Sequence, residues 1–220
     1  MTGTDTEKII LTTFTDPMMG LSYETEPVYR KLETHFGDRI ELRYCMSLLV
    51  RDVRDFMLSQ ERAMERKAGI ETYCKRLAKI YEDEEQISGM PICMSGFCLF
   101  DEEHTTSIPL DLAYKAVQLT APDKAERFLY LLRYTTIVNT RPTTHFDEIL
   151  RVVRETGIDE THFKETYEST EAEEALKSDL AYTQRLGIRS LPAYLLQYSD
   201  NGMLIYQEKR TWSNLQQNRR

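Results

Sequence analysis

Phe14-Thr15-Asp16-Pro17-Met18-Met19-Gly20-Leu21-Ser22-Tyr23 is the stretch on which the reading of the whole chain turns. Before it, Lys8-Ile9-Ile10-Leu11-Thr12-Thr13-Phe14 is a short apolar run rich in β-branched residues, the composition of a buried strand. Pro17 has no N–H for a sheet ladder and keeps Asp16 out of helical space, so the strand closes at Asp16-Pro17. From Ser22 the spacing turns helical, with Val28, Leu32 and Phe36 at i, i+4 and i+8 and Gly37 as the stop. Arg39 to Met46 then alternates Ile40, Leu42, Tyr44 and Met46 with polar neighbours, a half-buried strand. The crossover between the two strands contains one short helix, which predicts a parallel pair.

Residues 51–186 read as almost wholly helical. Arg51 to Gln86 is charged and amphipathic, and a looser stretch with Gly89, Pro91 and Gly96 follows. Helical spacing returns at Leu110–Leu119 and at Lys124–Val138, where Phe128, Leu131, Leu132 and Thr135 share a face. Thr144-His145-Phe146-Asp147 has the form of a capping box opening a helix that Gly157 ends, Asp159 fits an N-cap, and Glu171–Leu186 is a long helix stopped by Gly187. Strand character comes back at Leu191–Tyr198 and Met203–Gln207, a hairpin with Asn201-Gly202 at its tip, and Trp212–Gln217 fits a last short helix. The order is β-α-β, a helical insertion, then a hairpin and helix. That divides the chain into residues 1–50 with 187–220, and an insertion domain of residues 51–186.

The 220 residues carry a net charge of -8, which argues against a general nucleic-acid binder, whose affinity comes from basic groups displacing counterions. No apolar run approaches the roughly 18 residues a membrane helix needs, and Met1–Thr6 is too polar for a signal peptide, so a cytoplasmic location without membrane partners is expected. Of the four cysteines, Cys45, Cys74, Cys93 and Cys98, no pair has Cys-x-x-Cys spacing, and in a reducing compartment all four are expected as thiols. His35, His104, His145 and His162 are scattered, none at ligand spacing to a cysteine. Glu102-Glu103-His104 reads as a loop charge cluster without metal-ligand spacing, so no metal is expected.

Three segments together resemble the DsbA family, in particular its FrnE-like dithiol-disulfide isomerase branch. The first is the strand running into Asp16-Pro17 and a helix start, where the family carries Cys-x-x-Cys; here Met19 and Ser22 fall on the two cysteine positions. Pro27 matches the proline of the active-site helix, and Gly187-Ile188-Arg189-Ser190-Leu191-Pro192-Ala193-Tyr194 resembles the loop whose proline is cis. The third is Phe128–Pro142 with the helix after it, which resembles the insert that covers the active site. The resemblance spans roughly residues 8–207 and implies an α/β, thioredoxin-like fold with a large all-helical insertion.

The family's thiol chemistry does not carry over. A low-pKa thiolate at a helix N-terminus attacks a disulfide and a second cysteine resolves the product. Met19 has no ionisable proton, and the Ser22 hydroxyl is no resolving thiol. Three readings follow. In the first the fold is a binding or adaptor module, with a protein or peptide adding as a strand at the cis-proline groove. That groove would be formed by Asp16, Pro17, Met18, Met19, Gly20, Leu21, Ser22, Tyr23, Leu191 and Pro192. In the second, resemblance to kappa-class glutathione transferases and 2-hydroxychromene-2-carboxylate isomerases implies glutathione as cofactor, with Ser22 as the catalytic residue. In the third, residual thiol chemistry runs from a displaced cysteine, Cys45, Cys93 or Cys98.

Overall fold

A computed structural model describes residues 8–198 and 202–207 of the chain. Two strands, β1 (Ile9–Thr15) and β2 (Ile40–Met46), pair in parallel from Ile9↔Ile40 to Thr15↔Met46. Between them run α1 (Gly20–Glu24) and α2 (Glu26–Phe36). At the end of the chain β3 (Ala193–Tyr198) lies antiparallel to β1, and β4 (Gly202–Gln207) antiparallel to β3, giving the order β2-β1-β3-β4. The hairpin tip at Asn201 and the helix expected at Trp212–Gln217 lie outside the described residues.

Between the two halves of the sheet stand α3 (Ser59–Arg62), α4 (Arg66–Glu84), α5 (Ile108–Thr120), α6 (Ala125–Ile137), α7 (Phe146–Thr156), α8 (Glu160–Tyr167) and α9 (Thr170–Arg185). The charged, amphipathic segment Arg51–Gln86 is divided: Val53–Asp55 forms a 3-10 turn, and α3 and α4 are separate helices. Asp159 caps α8 by accepting the His162 N–H at 2.7 Å, and Gly157 ends α7 in the left-handed conformation, as their residue types predict. The Thr144 capping box does not form. Its hydroxyl donates instead to the Leu99 carbonyl, and His145 becomes the residue before α7. In α2 the apolar stripe is also displaced: Val28 is exposed, and the buried face is Glu26 and Tyr29. Tyr29 packs edge-on against Tyr44 of β2 at 5.9 Å, and its hydroxyl meets Thr13 Oγ1 at 3.0 Å.

The sheet is covered on both faces. One core cluster joins Met18, Tyr23, Tyr29, Tyr44 and Met46 to Leu110, Phe128, Ile149 and Phe163 of the helical insertion. The opposite face, with Phe14, Cys45, Ala193 and Leu195, is closed by Tyr182 and Leu186 at the end of α9. Asp179 of α9 ties the layers, accepting the Met46 N–H at 2.8 Å and the Lys115 ammonium at 3.0 Å.

Candidate functional site

The segment from Asp16 to Tyr23 sits at the C-terminal end of β1 and the N-terminal end of α1, where a parallel sheet presents its ligand-binding edge. Met18 is 0% and Met19 is 1% exposed, so both thioethers belong to the core and not to a groove wall. Their burial comes from α4: the Tyr81 hydroxyl donates to the Met18 carbonyl, and the Tyr81 ring and Glu84 carboxylate close over Gly20. Glu84 is itself buried. Tyr23 is also buried and donates to the Pro91 carbonyl at 3.3 Å, which pins the irregular stretch after α4 across the site. Asp16, Pro17 and Pro192 are buried, while Leu21 and Leu191 keep partial exposure. The Leu191–Pro192 peptide is cis.

Ser22 does not face an open cavity. Its hydroxyl is wholly buried and lies 2.7 Å from Thr15 Oγ1 and 3.9 Å from Met19 Sδ. Thr15 accepts from Arg133 Nη2 at 3.0 Å, and its own proton is within reach of Ser22 Oγ and of the Asp16 carbonyl at 3.2 Å. Arg133 is fully buried, pairs through Nη1 with Glu26 Oε1 at 3.0 Å, and stands 5.8 Å from the Tyr44 ring. A permanent cation is thus wired through Thr15 to the Ser22 hydroxyl.

A second buried polar group holds the Asp-Pro corner. Asp16 Oδ1 accepts the Met18 N–H at 3.0 Å, and Oδ2 accepts the Leu49 N–H at 2.8 Å and the Ser107 hydroxyl at 2.5 Å. Asp111, in the first turn of α5, lies against it; burial and the Asp16 carboxyl hold its pKa well above the carboxylate range. Asp16 is raised as well, by burial, against the opposing pull of its hydrogen bonds. Burial thus favours the protonated form more strongly at Asp111 than at Asp16. These buried charges are not legible in the sequence, where an aspartate or arginine within a helical pattern reads as solvent-facing.

The cysteines depart from their expected state. Cys74 of α4 and Cys98 form a disulfide, with Cα atoms 5.1 Å apart, so Cys93 and Cys98 are not a thiol pair. The fold brings together residues separated by 24 positions, a distance that spacing rules do not register. Cys45 is a buried thiol that burial, followed by the Asp179 charge, pushes up to about 12; Cys93 is free and exposed. Burial and the raised pKa both work against a reactive thiolate at Cys45 near neutral pH. The fold also overturns the isolation of the histidines: Asp101, His104 and His145 converge, because His145 arrives from the turn before α7. Asp101-x-x-His104 is the one sequence signal for that cluster.

The family model described as Thioredoxin matches residues 12–211, and the chain belongs to that family. Among curated proteins, the ClpXP adapter protein SpxH of Halalkalibacterium halodurans is 25% identical over 189 residues, 86% of this chain and 58% of that protein. The ClpXP adapter protein SpxH of Bacillus subtilis is 24% identical over 197 residues, 87% of this chain and 60% of that protein. The chain thus spans less than two thirds of the length of these relatives. A solved structure of a candidate protein disulfide isomerase from Nitrosomonas europaea superposes with a TM-score of 0.72 at 17% identity, over 96% of this chain and 95% of that one. The cytosolic disulfide reductase DsbM of Pseudomonas aeruginosa gives 0.66 at 15% identity, over 90% and 89%. These two superpositions speak for the fold alone.

Proposed function

We propose that this chain is a protein-binding adapter built on a DsbA-like scaffold, acting in the cytoplasm with a ClpXP-type protease as partner and not in dithiol exchange. One observation carries the reading: the positions of the two redox cysteines hold Met19 and Ser22, both buried and engaged within the core. No sulfur nucleophile stands at the helix start, so what the scaffold offers there is shape and backbone. The adapter names of relatives aligned over 86% and 87% of the chain support the same direction. With Met18 and Met19 inside, the contact edge falls to the partly exposed Leu21 and Leu191 beside Pro192, where an extended segment of the partner would add along the loop.

Two measurements on the purified chain test this. Insulin reduction is expected to proceed at the rate of the added dithiol alone; catalysed turnover would overturn the loss of redox function. Saturable binding to ClpXP is expected, and Leu21→Glu or Leu191→Glu should weaken it at least about tenfold, a loss of about 1.4 kcal/mol. Binding that survives both changes unaltered would remove the groove from the proposal.

A further inference from the structure

On the far side of the helical insertion, the turn after Phe100 and the residue preceding α7 bring three donor groups to one point. His104 Nδ1 lies 2.9 Å from each carboxylate oxygen of Asp101, and His145 Nε2 lies 2.9 Å from Asp101 Oδ2. The two imidazoles stack with centroids 3.8 Å apart and planes 22° apart, so both present a nitrogen edge to the same carboxylate. We propose that Asp101, His104 and His145 form a binding site for one zinc-like divalent transition-metal ion.

Four features of the cluster support the assignment. The ligand atoms all lie within 4.8 Å of one another. A tetrahedral ion about 2.1 Å from each donor needs donors about 3.4 Å apart, so the 2.9 Å contacts open by about half an ångström to admit it. The carboxylate is already oriented, because Oδ1 accepts the Glu103 and His104 N–H groups at 2.8 Å each, leaving Oδ2 directed at His145. The three side chains are 32–45% exposed, which leaves remaining coordination positions to water or to a small ligand. An adjoining cleft of about 480 Å³, lined by Lys67, Ile70, Glu71 and Phe100 along with the cluster, has room for one. Two imidazoles and one carboxylate are the donor set of open zinc sites, and they discriminate against magnesium and calcium, which take oxygen ligands.

The test uses the full chain with Cys93→Ser, since the exposed Cys93 thiol is a competing soft ligand. Chelator-treated protein is titrated with zinc chloride by calorimetry, and with cobalt(II) chloride by the visible absorption of a bound, low-symmetry ion. One zinc per chain is expected, unaffected by excess magnesium. His104→Ala and His145→Ala should each weaken binding at least about a hundredfold, and Asp101→Asn about tenfold or more. Thermal unfolding of each metal-free variant checks that it folds, and a rise in midpoint with zinc is expected for the parent alone. Absence of saturable zinc binding by the parent, or undiminished binding in folded His104→Ala and His145→Ala, would overturn the site. The outcome is independent of ClpXP binding.

Discussion

Arg133 shows how much a single residue constrains this scaffold. It carries a permanent charge to a position of 0% exposure and is held there by Glu26, Thr15 and the Tyr44 ring. Arg133→Met is expected to cost about 3–5 kcal/mol in urea unfolding, chiefly because the Glu26 carboxylate stays behind without its cation. Glu26→Gln in the same background should recover part of that loss, so the two changes combine to less than their sum; strict additivity would disprove the coupling. Gly20 is constrained by space and not by φ. A Cβ there would stand 2.9 Å from the Tyr81 ring and collide with Glu84, so Gly20→Ala should destabilise by about 1–3 kcal/mol, read as a lowered unfolding midpoint. Arg133 is invisible in the sequence as a core residue because helical periodicity assigns arginine to solvent. Met19 and Ser22, by contrast, read as substitutions once Asp16-Pro17 is set beside Pro27 and the Pro192 loop, through the resemblance those segments carry together.

At the scale of elements, what the sequence reveals follows local period and punctuation. The parallel β1–β2 pair, the β3–β4 hairpin, the Asp159 cap and the Gly157 stop all follow from patterns within a few residues. The misses are tertiary. The buried face of α2 is chosen by Tyr29 reaching Thr13 and Tyr44, and the Thr144 hydroxyl is drawn from its cap by the Leu99 carbonyl. The disulfide is the clearest case, because α4 and the loop after it meet through packing that no cysteine spacing encodes. It gives a direct prediction for thiol titration. With Cys74 and Cys98 bonded, the native protein should react once with a thiol reagent, at exposed Cys93. In denaturant Cys45 becomes accessible and the count should be two, rising to four after reduction. Four without reduction would show the bond absent. A rapid second equivalent in the native state would contradict the burial that holds Cys45 up to about 12.

Across the molecule, the Asp16–Asp111 pair couples the sheet to the insertion, since Asp16 follows β1 and Asp111 opens α5. Both groups are raised, Asp111 far above the ordinary value of 3.8, with burial the largest cause and the Asp16 carboxyl next. A carboxyl raised on folding contributes fully below its unfolded value and loses that contribution as pH rises through the folded value. Between the two values the native state binds a proton that the unfolded chain has released, so stability falls by about 1.4 kcal/mol per pH unit. The affected window opens near 3.8 and extends upward from there. An asparagine in place of Asp111 would present an amide of the same shape that donates to Asp16 and does not titrate. Asp111→Asn is therefore expected to flatten the decline in stability with rising pH and to gain on the parent in alkaline buffer. Below about pH 3 the two should converge, because there the parent's carboxyl is largely protonated in both states. Urea unfolding of both proteins across that range reads the slope difference. Parallel curves would show that Asp111 is not the proton carrier, and would place the proton on Asp16 and the buried charge of this junction on Asp111.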